Sequence, residues 1–263
     1  MTFPQLSSGA VAQFPFRRTA RFRTLENEMD GGSSVAFTDV DFEERRWEIP
    51  LRELSDTEWS QVKTLFEQSE GRLRGFTFLD PGANLLSFSE GLSAASWQKD
   101  TGIGVTDGQP DPVGGNAATT VTASTGGLTV SQLLKAPASY AYAGSIWART
   151  SASGAALRVS DGAALSVEEP FASDNVWLRY TLAFDVPSAA AQVELAIVAP
   201  NGTLHVYGPQ LEAQPEASAY KKNGSGSGAY EGARFDQDSL ADVATGPGRH
   251  SATVRIVWTP SQI

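Results

Sequence analysis

The chain is predicted to be mainly β, with an antiparallel sheet domain interrupted by an inserted β-sandwich. Residues 1–81 and 229–263 together hold 31 charged side chains in 116 residues, whereas residues 82–228 hold 19 in 147. Short segments of alternating polar and apolar residues recur along the whole chain between glycine, asparagine and aspartate turns, as is typical of strands. The change in charge density predicts two separately built domains, each long enough for its own core.

A divided motif supports the same boundaries. The strand-like sequence Phe76–Pro81 has its natural continuation much later in the chain, at Ala233–Asp238. Residues 1–81 and 229–263 are therefore predicted to form one discontinuous domain. Residues 82–228 are predicted to form a second domain inserted into one of its loops, which costs little closure entropy.

The first domain is predicted to be a mostly antiparallel sheet. Asp30–Ser33 contains two glycines, which supply the positive φ that a hairpin turn requires. Val254, Ile256 and Trp258 share one face of the last strand. The segments with strand alternation are 20–28, 35–39, 45–51, 73–79 and 251–258.

One segment, about 55–69, changes to a helical period. Ser55 and Glu58 have the spacing of a capping box, in which each side chain accepts a hydrogen bond from the other residue's backbone amide. Gly71 is a suitable C-terminal cap. The apolar stripe that faces the sheet is Trp59, Val62, Leu65 and Phe66.

The insert is predicted to be a β-sandwich, because many short strands follow one another at regular spacing. Turns such as Asp107-Gly108, Asp161-Gly162 and Asn201-Gly202 separate them. A Gly/Ser-rich stretch at 221–228 is predicted to be a flexible linker that leads from the insert back to the first domain. The strand segments are 117–123, 128–134, 140–149, 155–159, 177–186, 192–198 and 203–210.

Composition excludes several classes of protein. The formal net charge of −10 argues against nucleic acid or an anionic membrane as a partner. No apolar run is long enough to insert into a membrane. The chain has no cysteine, which excludes disulfides and thiolate metal sites and predicts folding in a reducing cytoplasm.

Seven motifs of the first domain, taken in order, resemble the distal tail protein family of long-tailed bacteriophages and gene transfer agents. The resemblance implies a ring, usually a homohexamer, that joins the tail tube protein to the baseplate hub or tail-tip proteins. It implies a virion tail protein made in the cytoplasm of the bacterial host. The long insert departs from shorter members of the family. The motifs are Phe3–Pro15, Arg45–Glu48, Leu54–Glu58, Gly71, Phe76–Pro81, Arg234–Leu240 and Val254–Gln262.

The insert resembles the jelly-roll carbohydrate-binding modules of phage tail proteins and glycoside hydrolases. This resemblance covers nearly the whole insert and implies binding of host surface polysaccharide. The motifs that carry it are Asn84–Leu86 with Trp97, Tyr140–Arg149, Trp177–Thr181, and Val206–Glu212 with Tyr220.

Sugar binding requires aromatic faces with polar groups beside them. We predict Trp97 and Tyr142 as the main glycan-binding residues, with Tyr140 and Tyr207 as further candidates. Trp147 and Trp177 lie inside alternating segments, so core packing is the expectation for both, because aromatic residues dominate sandwich cores.

No catalytic residue is predicted. His205 lies in an alternating segment and His250 in a Gly-Pro-Gly-Arg turn, and neither belongs to a metal or triad motif. No cofactor is expected. Solvated loop carboxylates are the simpler interpretation of the acidic loops, with a structural calcium ion, common in modules of this kind, as the alternative. The candidate ligands are Glu90, Asp107, Asp111, Glu168, Glu169 and Asp174.

Four arginines, at positions 17, 18, 21 and 23, form a basic segment in an acidic chain. They are predicted either to line a solvated strand face or to pair with Glu26, Glu28 and Asp30 of a neighbouring subunit. The leading functional hypothesis is a ring-forming tail component with an adhesive insert that binds without turnover. A primary receptor-binding protein of the tail tip and a tail-borne glycan depolymerase are the alternatives.

Overall fold

The computed structural model describes residues 1–135, 140–162, 165–186 and 192–260, so the end of the 254–262 motif lies outside it. The protein is mainly β, with antiparallel sheets and one helix in the described ranges, which confirms the predicted fold class. The chain divides into two compact units. The first comprises 1–7, 12–78 and 230–263, and the second comprises 8–11 and 79–229.

The first unit is a six-stranded sheet. Its strands follow the order β1-β2-β16-β14-β3, and β15 pairs with β16 off that path. The bounds are β1 Arg17–Glu28, β2 Ser34–Leu54, β3 Phe76–Leu79, β14 Ala229–Phe235, β15 Asp242–Gly246 and β16 Arg249–Trp258.

A single strand, β2, replaces the two separate strands predicted at 35–39 and 45–51. The charged residues between them also pair with β1, where Arg21 lies opposite Glu44 and Phe22 opposite Glu43. Opposite charges across a strand pair stabilise the ladder, so the charged stretch continues the strand rather than ending it.

The helix α1 spans Asp56–Gln68, and its capping box between Ser55 and Glu58 is present as predicted. Glu58 also accepts hydrogen bonds from the backbone amide (2.9 Å) and hydroxyl (2.7 Å) of Ser7. Burial alone would raise the pKa of Glu58, but the hydrogen bonds from Ser55 and Ser7 outweigh it and lower the pKa to about 2. The predicted C-cap at Gly71 is wrong, because Ser69 caps the helix and Glu70 already has a φ of 50°. Nothing helical in the described ranges has the length and apolarity of a membrane crossing.

The second unit consists of two five-stranded antiparallel sheets. Their orders are β10-β9-β12-β7-β4 and β11-β8-β13-β6-β5. The seven predicted strands are present, with ends that differ by one or two residues. The bounds are β4 Gln98–Lys99, β5 Ile103–Gln109, β6 Ala118–Ala123, β7 Thr129–Leu134, β8 Ala141–Thr150, β9 Ala156–Ser160, β10 Ser166–Pro170, β11 Leu178–Asp185, β12 Val193–Val198 and β13 Gly202–Glu212.

The inner faces of these two sheets form the core of the second unit. Gly144 on β8 marks where they approach closely, because a Cβ added there would lie 3.2 Å from Val159 and 3.4 Å from Leu195 of the opposite sheet. Ile146 and Ala148 follow Gly144 at alternate positions and are fully buried. This parity defines the inner face of β8 and leaves the intervening side chains on its outer face.

Candidate functional site

The two main glycan-binding candidates are core residues. Trp97 is 1% exposed and donates from Nε1 to the carbonyl oxygen of Phe88 at 3.1 Å. Tyr142 is 0% exposed and shares the inner-face parity of Ile146. Neither ring presents a face to a sugar. Burial removes a large apolar ring area from water, which is the physical reason that the core takes these side chains.

The two further candidates, Tyr140 and Tyr207, are also buried. The hydroxyl of Tyr140 has no hydrogen-bond partner among the described residues, and burial raises its pKa. The ring of Tyr220 packs edge-on against Tyr207, with 5.2 Å between the ring centroids. The prediction that these four aromatic residues form the sugar platform is therefore corrected.

The outer face of the sheet β11-β8-β13-β6-β5 instead brings aromatic and polar side chains together. On this face Trp147 lies opposite Arg179 on β11 and opposite Tyr207 on β13. In the next row, Arg149 lies opposite His205, and His205 lies opposite Thr120 on β6. The rows cross neighbouring strands, which lie about 4.8 Å apart.

Residues 213–221, named here the cover segment, bury one half of this outer face. Its anchor is Glu212, which is 1% exposed. The Glu212 carboxylate accepts hydrogen bonds from Gln210 Nε2 (2.7 Å) and from the amide (2.8 Å) and hydroxyl (2.6 Å) of Ser218, and it pairs with Lys221. Arg179 Nη2 also donates to the Ser218 carbonyl and, at 3.0 Å, to the Ser145 hydroxyl. Arg179 is thus committed to holding the cover segment.

The other half, named here the open face, is not under the cover segment. Its central side chains, Trp147, Arg149 and His205, are half-buried. Trp177, which precedes β11 rather than lying within it, stands beside Arg149, with 5.1 Å from the guanidinium carbon to the ring centroid. The expectation that Trp147 and Trp177 are core residues is therefore wrong. The remaining positions are small or hydroxylic, namely Gly104, Thr106, Thr120, Thr122 and Thr203.

The open face is positively charged at its centre. His205 Nδ1 and the Thr120 hydroxyl share a hydrogen bond at 2.9 Å. Burial, and then the nearby charge of Arg149, lower the pKa of His205, which favours the neutral imidazole. The positive charge on this face is therefore carried by the guanidinium group of Arg149.

Five of the six acidic residues considered as calcium ligands have other partners. Glu90 pairs with Lys222, and Glu168 lies 3.6 Å from Arg158. Asp107 accepts from the amides of Leu92 (3.0 Å) and Ser93 (3.2 Å), while Asp111 and Asp174 accept backbone amides of their own turns. Within the described ranges, no three acidic or histidine side chains are grouped as metal ligands. Glu169 is partly buried on β10.

The other histidine belongs to the first unit and has a structural environment. His250 Nδ1 lies 2.7 Å from Asp242 and Nε2 lies 2.8 Å from Asp56, with the ring stacked on Trp59. The hydrogen bonds to Asp242 and Asp56 raise the pKa of His250. These carboxylates occupy both ring nitrogens, so no ring nitrogen is left to act on a substrate.

The basic segment of the first unit lies on β1, in which every residue is exposed. Arg23 pairs with Asp39, Arg21 lies 3.9 Å from Glu44, and both guanidinium groups stand over the ring of Phe42. Arg18 stands over the ring of Phe16, and Arg17 lines a small groove of about 170 Å³. Part of the predicted interface charge is therefore already paired within the β1–β2 hairpin.

No protein-family model and no curated protein matches the chain. Among solved structures, it is similar to the enzymatically active domain of tailspike protein 4 of bacteriophage CBA120, with 15% identity over 51% of this chain and 22% of that one and a TM-score of 0.41. It is also similar to the CBM22-1 xylan-binding domain from Paenibacillus barcinonensis Xyn10C, with 14% identity over 53% and 99% of the two chains and a TM-score of 0.39. A C-terminal family 22 carbohydrate-binding module from Clostridium thermocellum has 14% identity over the same shares and a TM-score of 0.40. At these identities the likeness is one of fold alone.

Proposed function

We propose that the second unit binds polysaccharide through the open face, as an adhesive module of a phage-type tail protein. The observation that supports this proposal best is the grouping of Trp147, Trp177 and Arg149 with hydroxyl side chains on one uncovered sheet surface. An indole ring stacks on the C–H face of a sugar, and the flanking polar groups hydrogen-bond its hydroxyls. The remaining outer-face area lies under the cover segment, which confines the ligand to this half.

Binding without cleavage is the mode that the open face favours. Hydrolysis of a glycosidic bond ordinarily needs two carboxyl groups that flank the bond. The open-face positions carry threonine, glycine, aromatic, arginine and histidine side chains, and none carries a carboxylate. This composition favours adhesion over the depolymerase alternative. Copies of a weak site held together on one particle would gain strength by avidity.

The test is polysaccharide retention by the full-length protein and its Trp147→Ala variant. Loss of the stacking ring should reduce retention about tenfold, the range of a moderate hot spot. Affinity electrophoresis in gels that contain xylan, galactan, alginate or polygalacturonate measures this directly. The matched control is Leu133→Ala, which removes a side chain that is 41% exposed on the other sheet and should leave retention unchanged. Equal retention of the Trp147→Ala variant and the parent would contradict the proposal, as would binding to none of the polymers.

For the first unit we propose the structural role that its sequence resemblance implies, a virion tail ring that contacts the tail tube and baseplate. The supporting observation is the hairpin of β1 and β2, which exposes large apolar side chains. Phe22 is 64% exposed, and the cross-strand neighbours Leu25 and Phe37 are 48% and 50% exposed. Large apolar side chains grouped on an exposed surface favour contact with another protein surface, here a second copy. The tail-tip receptor-binding role remains the alternative.

Native mass spectrometry tests the ring. We expect a cyclic oligomer, six copies by the resemblance, and we expect Leu25→Ser/Phe37→Ser to shift it to monomer by removing the apolar contact. Val243→Ser is the control, because Val243 is 66% exposed on β15, outside this hairpin. A parent protein that stays monomeric both in solution and within assembled tails would refute the ring.

A further inference from the structure

Most basic side chains of the second unit have an internal ion-pair or hydrogen-bond partner, but not all. Seven Lys and Arg residues lie between positions 82 and 228. Arg158, Lys221 and Lys222 form ion pairs with carboxylates. Lys99 donates from Nζ to three backbone carbonyls, those of residues 93, 94 and 97, at 2.9–3.1 Å. Lys135 is exposed to solvent.

The two remaining cations are Arg149 and Arg179. Of these two, only Arg149 has a side chain without a hydrogen-bond or ion-pair partner among the described residues. Arg179 donates to neutral oxygens that hold the cover segment. The side chain of Arg149 makes no hydrogen bond or ion pair with any residue that the structure describes, and its Nε is buried without a partner among them. Its guanidinium carbon lies 5.1 Å from the centroid of the Trp177 ring. The open face therefore presents a half-buried guanidinium with no internal anion.

An unpaired, partly desolvated guanidinium stays protonated and gains most from an anion supplied from outside. The planar fork of arginine matches a carboxylate with two parallel hydrogen bonds, and stacking on an indole ring fixes its plane. The chain has a formal net charge of −10, yet none of its carboxylates pairs with Arg149 in the described structure. The guanidinium of Arg149 can therefore pair with the carboxylate of a ligand.

We propose that the open face selects polysaccharides whose sugar rings carry a carboxylate, with Arg149 as the specificity-determining residue. The inference rests on the proposed glycan-binding function and narrows it to uronic-acid-type polymers. Trp147 stacks on the sugar ring, and Arg149 receives the carboxylate. The neutral His205 and its partner Thr120 offer hydrogen bonds to neighbouring hydroxyls.

The experiment compares each acidic polymer with its own carboxyl-reduced form, which keeps the backbone and removes the charge. The probes are polygalacturonate, alginate, hyaluronan and glucuronoxylan, with polyglycerol phosphate as an anionic polymer that lacks carboxylate. For at least one polymer, the full-length protein should bind the acidic form about tenfold more tightly or better than the reduced form. Arg149→Gln should abolish that preference, and Arg149→Lys should retain part of it. Raising the salt concentration should weaken binding of the acidic form only.

The outcomes separate the two proposals. Equal affinity for the acidic and reduced forms would overturn the carboxylate specificity but not the proposed polysaccharide binding. If Arg149→Gln kept the preference for the acidic form, the role of Arg149 as the specificity-determining residue would be overturned. Tighter binding to polyglycerol phosphate than to any carboxylate polymer would also overturn the carboxylate specificity. Binding to no polymer refutes both proposals. An unchanged thermal midpoint shows that Arg149→Gln is folded, and the salt dependence of the parent protein tests the charge without any substitution.

Discussion

Replacing Trp97 with alanine is expected to destabilise the second unit by about 3–5 kcal/mol, the usual cost of truncating a buried aromatic residue. Trp97 is 1% exposed, so the substitution leaves a large cavity. It also removes the donor to the Phe88 carbonyl, which leaves a backbone acceptor without its partner. A loss of this size is a large fraction of the free energy of unfolding of a whole domain.

Chemical denaturation of the full-length protein, with the protease resistance of residues 79–229 as the readout, measures this change in the free energy of unfolding. Trp177→Ala is the matched control, because it truncates the same type of side chain at a half-buried position on the open face. We expect Trp177→Ala to change stability by less than about 1 kcal/mol and to weaken polysaccharide retention. A folded Trp97→Ala protein that had lost only its retention would restore Trp97 to the binding site.

The sequence predicted the fold class because its local signals agree with the tertiary structure. The Ser55–Glu58 capping box fixes the start of the helix, and the alternating segments of the insert form strands where expected. The sequence does not predict strands β5 and β10, because they lack a strong local signal. β10 is a short, largely exposed segment with two glutamates and a proline, and β5 contains two glycines. Their pairing with β9 and β6 is what makes them strands.

Aromatic content alone indicates the wrong candidate site, because it ignores strand parity. On β8, Tyr142 shares its parity with Gly144 and Ile146, whereas Trp147 shares its parity with Ser145 and Arg149. The first set is apolar and points to the core, and the second is polar and points outward. This signal was present in the sequence. It identifies Trp147, but it does not find Trp177, whose place beside Arg149 depends on the register between β8 and β11.

The cover segment was not predictable, because it depends on a buried charge. No local pattern indicates that Glu212, at the end of a strand, gathers side chains and amides from the following nine residues. Buried carboxylates are uncommon and are retained only with full hydrogen bonding. The same network limits the open face, since it determines which half of the outer face is covered.

Glu212→Ala is therefore expected to release the cover segment and to cost up to about 3–5 kcal/mol, the range for removing one partner of a fully buried ion pair. Lys221, whose side chain is 30% exposed, would lose its counter-charge, and Gln210 and Ser218 would lose an acceptor. Hydrogen exchange should reveal the release first at the amide of Ser218, which donates to Glu212, and at the amide of Lys221, which donates to Gln210. Protection of the inner strands should fall less.

Three further variants isolate the cause, namely Glu216→Ala, Lys221→Ala and Glu212→Ala/Lys221→Ala. Glu216→Ala removes an exposed carboxylate from the same segment and should leave exchange and stability near the parent values. Glu212→Ala/Lys221→Ala removes the orphaned charge as well, so it should be more stable than Glu212→Ala alone, because much of the single-variant cost comes from the uncompensated lysine. If the double variant were instead destabilised by the sum of the two single changes, the pair would contribute no coupling. The cover segment would then be held by the hydrogen bonds of Gln210 and Ser218 to Glu212 rather than by the ion pair with Lys221.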